Sequence, residues 1–279
     1  MREIKFTKMH GLGNDFIVID GLTDEIPRIN WAEKAGVLCD RAIGVGADGV
    51  ILALPGKKLD YRMRIFNSDG SEAEMCGNGF RCMVRLLHDR KLMNGRKCAV
   101  ETIGGEIEAE VVSSKKSDFA VRYCLGEPIF DAESIPVKSD SRYFINGSLK
   151  LKDKKYTLTA LSLGNPHAVM FVDDLLFDWE DVGREIENHE MFPNRTNVEF
   201  VMPLGPSKVG LQSWERGAGP TYASGTGACA AVAAGVMVGL LERSVEVVCH
   251  YGSLMVEWSA DDGRIYQTGP AEYSFTGLA

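Results

Sequence analysis

The 279-residue chain has no apolar run long enough to cross a bilayer as a helix: its longest uncharged apolar stretch, 228–241, has 14 residues, against the roughly 18 or more a span requires. It has no Cys-x-x-C pair. Its seven cysteines are scattered and odd in number, which excludes a disulfide framework and a structural zinc site by spacing. It has no excess of positive charge. Lys and Arg total 31 against 39 Asp and Glu, a formal charge of −8, so no nucleic-acid or anionic-membrane partner is expected. No low-complexity segment occurs, and the first residues, MREIKFTKMHGLGNDF, hold no apolar leader core, so a cytoplasmic protein with reduced thiols is expected.

The chain has ample core-forming material: 45% hydrophobic and 25% charged residues, enough to fold without a metal or disulfide staple. Short β-branched or aromatic runs bounded by Gly, Asn, Asp or Pro predict strands at 17–19, 50–54, 61–66, 107–112, 119–123, 168–172, 198–202, 209–214, 245–249 and 254–258. Helical periodicity is confined to 31–39, about 79–91, 180–189 and about 227–241. Many strands with few helices predict an α+β class with mainly antiparallel sheets, not a doubly wound parallel sheet.

A faint internal repeat divides this chain. HGLGNDF at 10–16 is echoed by LGNPHAV at 163–169, and NSDGSEAEMCGNG at 67–79 by ERGAGPTYASGTG at 215–227. The offset is 151 between Asn14 and Asn165 and 148 between Cys76 and Ser224, while Asn67 and Glu215 each stand nine residues before Cys76 and Ser224. Two matches at nearly one offset predict duplicated halves, with the boundary at the turn signal Gly126-Glu127-Pro128.

Both echoes place a Gly-rich turn, Cys76-Gly77-Asn78-Gly79 and Ser224-Gly225-Thr226-Gly227, at the head of an apolar helix. Glycines admit a ligand close to the backbone, and the first N–H groups of a helix lack intrahelical partners. Such a turn binds a carboxylate or phosphate, and the same field favours the thiolate of a cysteine placed there. Singly, each turn reads as a helix cap; the duplication makes a binding role the better reading. Two such turns facing across a cleft would hold one small anion and bring a side chain to it from each side, the geometry of a racemase that uses no cofactor. Asn14, Asn67, Asn165 and Asn197 lie at strand ends, where an Asn is commonly a turn residue. Glu215 and Arg216 could receive an ammonium and a carboxylate or could pair with surface charges, and His167 could tune an acid–base group or be structural.

Taken together these segments resemble the diaminopimelate epimerase family. The shared motifs run through nearly the whole chain: KMHGLGNDF (8–16), DRAIGVGADG (40–49), RIFNSDGSEAEMCGNGFRC (64–82), LGNPHAV (163–169), RTNVEF (195–200), WERGAGPTYASGTGACAA (214–231), GSLMVEW (252–258) and GPA (269–271). The resemblance implies two pseudo-symmetric domains, 1–125 with 270–279 and 126–269, each a curled sheet around a central helix. It also implies an active site in the cleft between them and a homodimer with Phe275 near the contact. The implied activity is conversion of LL- to meso-diaminopimelate, in lysine and peptidoglycan biosynthesis, by two-base proton transfer without pyridoxal phosphate, metal or other cofactor. By position, Cys76 matches a catalytic cysteine. His167 and Glu215 match residues that tune the acid–base pair. Gly77, Asn78, Gly225 and Thr226 match the turns that cradle the reacting carboxylate. Asn14, Asn67, Asn165, Asn197, Glu215 and Arg216 match the groups around the far end of the substrate.

Two positions depart from the family pattern. Gly49 stands where a Gln is frequent, a minor change. Ser224 stands where the family has its second catalytic cysteine. An unassisted serine is no base near neutral pH, and Cys229, five residues on and roughly 140° around the helix axis, would point elsewhere. Ser224 is therefore either an engineered replacement that stops turnover, favoured by the intact surrounding motifs, or a natural divergence with changed chemistry. The competing functional readings are a related amino-acid racemase, isomerase or dehydratase on the same fold, and a non-catalytic amino-acid-binding protein.

Overall fold

The computed structural model describes residues 3–115 and 117–279. The chain separates into two compact units, Met1–Tyr123 with Thr268–Ala279, and Cys124–Gln267.

In chain order the first unit contains β1 (Lys5–Gly11), β2 (Asn14–Asp20), α1 (Trp31–Cys39), β3 (Gly49–Pro55), β4 (Tyr61–Asn67), β5 (Glu72–Ala73), α2 (Gly77–Asp89), β6 (Lys97–Thr102), β7 (Gly105–Lys115) and most of β8 (Asp118–Gly126). The second contains β9 (Gly147–Leu151), β10 (Lys154–Ser162), β11 (Pro166–Phe171), α3 (Trp179–Glu187), β12 (Asn197–Gly205), β13 (Lys208–Glu215), β14 (Gly219–Thr221), α4 (Gly225–Met237), β15 (Ser244–Cys249), β16 (Gly252–Trp258) and the start of β17 (Ile265–Pro270). Strand β18 (Glu272–Leu278) belongs to the first unit, antiparallel to β1. The sheet-rich α+β class expected from the sequence is what the chain forms. All four helices lie where the periodicity places them, and each predicted strand lies in an observed one or, at 168–172, overruns it by a single residue. The strands at 5–11, 72–73, 97–102, 147–151, 154–162, 219–221, 265–270 and 272–278 lie outside the expected runs. β18 is exposed almost throughout, and β1, though buried, mixes Lys5, Thr7, Lys8 and His10 into its run.

Within each unit the same pairing recurs. In the first, β1 pairs antiparallel with β2, β2 parallel with β3, β3 antiparallel with β4, β4 parallel with β6 and β6 antiparallel with β7. In the second, the series is β10–β11, β11–β12, β12–β13, β13–β15 and β15–β16, with the same alternation of sense. Short hairpin partners, β5 on β4 and β14 on β13, precede the central helix in both. The β1–β2 turn needs left-handed backbone at Gly13 (φ 87°), and the equivalent turn needs it at Gly164 (φ 90°), positions 151 residues apart.

The central helices fill the concave side of each sheet. Helix α2 packs on β1, β2, β3, β4 and β7, and α4 on β10, β11, β12, β13 and β16. Every residue of α4 from Gly227 to Gly235 is buried, as are Phe80, Met83, Val84, Leu86 and Leu87 of α2. A helix surrounded on all sides needs small residues, and α4 supplies them with its Ala/Gly run. Both helices end before their apolar periodicity does, at Asp89 and Met237. A left-handed residue follows each cap, Lys91 (φ 56°) and Gly239 (φ 74°), and the next N–H bonds back to the carbonyl of Leu87 or Gly235, a Schellman closure that stops the helix.

Two arginines of α2 fasten the C-terminal segment to the first unit. Arg81, with no exposed surface, donates from Nε to the Pro270 carbonyl (2.8 Å) and from Nη2 to Asn78 Oδ1 (2.5 Å). Arg85 donates to the Ala271 carbonyl and lies 4.8 Å from the Phe119 ring centre and 5.1 Å from that of Tyr273. Replacing Arg81 with Leu strips a buried carbonyl and the Asn78 amide of charged donors. The expected cost is on the order of 3 kcal/mol, read as a lower urea midpoint with faster amide exchange in β18.

Candidate functional site

Each unit carries a cluster of the residues singled out from sequence, built around the head of its central helix. In the first unit, Cys76 is the residue before α2 in extended backbone (φ −141°, ψ 119°) and its sulfur makes no cap bond to the helix. Its Sγ lies 3.5 Å from Asn14 Oδ1, and Asn78 Nδ2 donates to the same oxygen (3.1 Å). Cys76, Gly77, Asn78 and Asn14 are thus brought together. Asn67 is not bonded into this group. Its side chain donates to Ser71 Oγ (2.9 Å) and its N–H to the Ser71 carbonyl, closing the β4–β5 hairpin.

The orientation of the Asn14 amide is set from behind. Asn14 Nδ2 donates to Asp48 Oδ2 (2.6 Å), which forces Oδ1 toward Cys76. Asp48 is held by Arg41 (2.8 Å), which also bonds Asp15 (2.7 Å). Lys8, almost fully buried, pairs with Asp15 (2.5 Å) and donates to the Gly46 carbonyl. Burial works against the Asp15 charge, but the Arg41 and Lys8 hydrogen bonds outweigh it and hold the carboxyl below its ordinary range. Sequence reasoning missed Lys8, Asp15, Arg41 and Asp48 as functional groups. They lie inside the 8–16 and 40–49 motifs, whose alternating charges were the available signal.

In the second unit, Ser224 precedes α4 in the equivalent extended conformation (φ −100°, ψ 119°). Unlike Cys76 it caps its helix: Oγ accepts from the Gly227 N–H (3.2 Å), and the hydroxyl also bonds Glu215. Oxygen is a good N-cap acceptor and sulfur a poor one. Glu215, half-buried at the end of β13, also accepts from Thr221 Oγ1 (2.9 Å). Desolvation pushes the Glu215 carboxyl above its ordinary range. The Thr221 and Ser224 bonds offset this in part, the Glu199 charge adds to it, and His167 opposes it.

His167 is fully buried between Glu199 Oε1 (2.8 Å from Nδ1) and Asn165 Oδ1 (2.9 Å from Nε2), and Asn165 Nδ2 reaches Thr226 Oγ1 (3.4 Å). Asn197 accepts from the Arg216 N–H (2.9 Å) and donates to the Pro166 carbonyl (2.9 Å). The Arg216 guanidinium is exposed and donates to the Asn194 carbonyl (3.0 Å). The hydrogen bonds gather these residues into three sets, Glu199–His167–Asn165–Thr226, Asn197–Arg216 and Thr221–Glu215–Ser224, while the Gly225 carbonyl accepts from Gln267 Nε2 (2.7 Å). Glu199 and Thr221 are the members that sequence reasoning missed. Glu199 sits in an apolar strand pattern where a lone carboxylate reads as solvent-facing, and only the RTNVEF motif marked it.

None of the seven cysteines is bridged to another. Burial pushes Cys82 and Cys98 up to about 12 and Cys39 to about 11, so these thiols are inert near neutral pH. Cys229, fully buried on α4, accepts from Gln267 Nε2 (3.4 Å), which also donates to the Gly225 carbonyl (2.7 Å). Among the described residues no group of His, Cys, Asp and Glu has the arrangement of a metal site, and no helix is long and apolar enough to cross a membrane.

The raised Glu215 carboxyl has a thermodynamic signature. A carboxyl with a raised folded pKa contributes stability in full below its unfolded value, roughly pH 4, and loses it as pH rises through the folded value. Glu215→Gln removes that loss while the Thr221 and Ser224 hydroxyls reorient to the amide. Thermal unfolding of Glu215→Gln is expected to match the parent at pH 4 and to exceed it at pH 8.

Comparison with known proteins agrees with this architecture. Residues 6–130 and 159–274 match the family model for diaminopimelate epimerase. A diaminopimelate epimerase of Desulfitobacterium hafniense is 45% identical over 279 residues, 99% of this chain and 98% of the relative. One from Carboxydothermus hydrogenoformans is 46% identical, with 98% of each covered. Among solved structures, a hydroxyproline epimerase from Agrobacterium vitis aligns over 100% of this chain and 91% of its own with a TM-score of 0.67 at 15% identity. A Bacillus anthracis phenazine biosynthesis protein of the PhzF family gives the same TM-score at 18% identity, over 100% and 99%. These distant structures share the fold, and the full-length sequence matches make this chain a member of the diaminopimelate epimerase family.

Proposed function

We propose that this chain interconverts LL- and meso-diaminopimelate by direct transfer of the α-proton, serving lysine and peptidoglycan biosynthesis, with Cys76 and the residue at 224 as the two acid–base groups and no cofactor. The observation that carries the reading is the pair of equivalent turns at the heads of buried helices, one bearing a cysteine, in a chain that belongs to this family.

Epimerisation breaks the Cα–H bond on one face of the substrate and makes a new one on the other. One group takes the proton, the electron pair is left on the α-carbon and its carboxylate, and a second group donates a proton from the opposite side. An amino-acid α-proton is weakly acidic, so the growing negative charge must be stabilised. The amides of Gly77 and Asn78, and those of Gly225 and Thr226, are suited to this, since helix N-termini favour negative charge. Asn14 Oδ1 accepts the Cys76 thiol proton, which suits Cys76 to hold and aim a proton. We assign the far end of the substrate to Asn67, Asn165, Asn197, Glu215 and Arg216, whose amides, carboxylate and guanidinium match an amino-acid group.

Ser224 weakens this machinery. Its oxygen is engaged by Gly227 and its hydroxyl by Glu215, and a hydroxyl is a far weaker acid than a thiol of pKa about 8.5. We further propose a homodimer in the cytoplasm. Free cysteines fit a reducing compartment, and exposed Tyr273, Phe275 and Leu278 on β18 fit a contact with a second copy.

The deciding experiment is α-proton exchange in D₂O with LL- and meso-diaminopimelate. The parent chain is expected to turn over very slowly. Ser224→Cys should raise the rate by about 10²–10⁴-fold or more, and Cys76→Ser in that background should abolish it. A parent already as fast as Ser224→Cys overturns the assignment of residue 224. Binding gives a second check: Arg216→Ala should weaken diaminopimelate binding by roughly 10- to 100-fold in calorimetry, the loss of charged hydrogen bonds.

A further inference from the structure

The two units match register by register, yet one buried pair of side chains differs in kind between them. In the parallel pair β2/β3, Phe16 lies opposite Gly49 and Val18 opposite Ile51. In β11/β12, His167 lies opposite Asn197 and Val169 opposite Glu199. Phe16 and Ile51 therefore hold in the first unit the places that His167 and Glu199 hold in the second. Both pairs lie beneath the third residue of the central helix. A Cβ on Gly79 would fall 2.7 Å from Ile51 Cδ1 and 3.4 Å from Phe16 Cζ, and one on Gly227 would fall 2.8 Å from Glu199 Oε1.

The same backbone thus accepts an apolar pair in one unit and an imidazole–carboxyl pair in the other, with both polar side chains fully buried. An apolar pair is the cheaper filling, because a buried ion or polar pair must first give up its water. Glu199 Oε1 takes Nδ1 of His167, and Oε2 meets no donor. The pair lies against the head of α4, where Ser224, Thr226 and Glu215 stand. Resting on the functional reading above, we propose that Glu199 is a positioning residue for the epimerisation: it anchors Nδ1 of His167 and so keeps the other ring nitrogen against Asn165 and, through it, Thr226 at the head of α4.

The carboxyl on Nδ1 (2.8 Å) and the Asn165 amide on Nε2 (2.9 Å) leave the ring a single orientation, and the same amide reaches Thr226 Oγ1 (3.4 Å). The Glu199 charge also reaches Glu215, which faces His167 on β11, Glu199 on β12, Thr221 on β14 and Ser224 at the α4 cap.

The test uses Glu199→Gln, which keeps an acceptor without the charge, Glu199→Ile, and the double variant His167→Phe/Glu199→Ile, which installs the first unit's pair. ¹H–¹⁵N imidazole spectra should show a protected Nδ1–H of His167 in the parent and in Glu199→Gln and lose it in Glu199→Ile. In the Ser224→Cys background, Glu199→Ile should lower kcat by about 10²-fold, the scale of a misplaced catalytic group, with KM changed less than threefold. Glu199→Gln should restore most of kcat. Its acid limb should move to lower pH, because burial still raises the Glu215 carboxyl but the Glu199 charge no longer adds to that rise. The double variant should melt no lower than the parent, which separates lost function from lost fold. Unchanged kcat and pH profile in Glu199→Ile, or a His167 resonance indifferent to residue 199, overturns the proposal. If Ser224→Cys itself does not act on diaminopimelate, the functional reading fails instead, and the imidazole spectra alone decide whether Glu199 sets the ring.

Discussion

A helix enclosed on every side can leave its unpaired backbone groups only at its ends. This constraint organises both units. Helices α2 and α4 are buried along most of their length by the strands that surround them, so their flanks serve packing, apart from Arg81 and Arg85 of α2, which hold the Pro270 and Ala271 carbonyls. The C-terminal carbonyls are closed off by left-handed residues after Asp89 and Met237. The N-terminal amides remain, with the positive end of the peptide dipoles behind them. Whatever stands at that end decides what the unit can do: a thiol in one, a hydroxyl in the other.

The cost of the arrangement is visible in the polar groups placed around those ends. Lys8, Asp15, Arg41 and Asp48 form a chain of charge-assisted hydrogen bonds whose last link sets one amide, that of Asn14. His167, Glu199 and Asn165 do the same for Thr226. Such networks add little net stability, because desolvation offsets most of the attraction. Their value is geometric, since a proton acceptor must stand within hydrogen-bond reach of the atom it serves. The duplication makes this legible. Where the same backbone position is Phe16 in one unit and His167 in the other, packing requires neither, and the polar choice needs another reason.

The contrast between Ser224 and Cys76 shows how one atom redistributes roles. At the equivalent place Cys76 leaves the helix uncapped by its side chain and keeps its proton directed at Asn14. Ser224 turns inward to cap Gly227 and engages Glu215. A hydroxyl oxygen competes for backbone N–H groups as a thiol does not, so the exchange alters both the acidity of the group and the direction in which it is held.

Much of this protein was determined by its sequence alone. Period-2 and period-3.6 patterns located the four helices and many of the buried strands, because a core face must repeat with its element. The 148- and 151-residue offsets exposed the duplication, because Gly13 and Gly164, like the turns at 76–79 and 224–227, serve backbone needs few residues meet. The long motifs named the family. Tertiary structure decided the rest. Strand 5–11 is buried between β2 and β18 but mixes Lys5, Thr7, Lys8 and His10 into its run, and strand 272–278 is exposed almost throughout, so neither carries an apolar period. Glu199 looked like a surface charge in an apolar strand until pairing with β11 set it beneath Gly227 and against His167. Asp48 and Asn14 are 34 residues apart. A hydrogen bond depends on distance and angle in space, and sequence spacing carries neither until the fold supplies them.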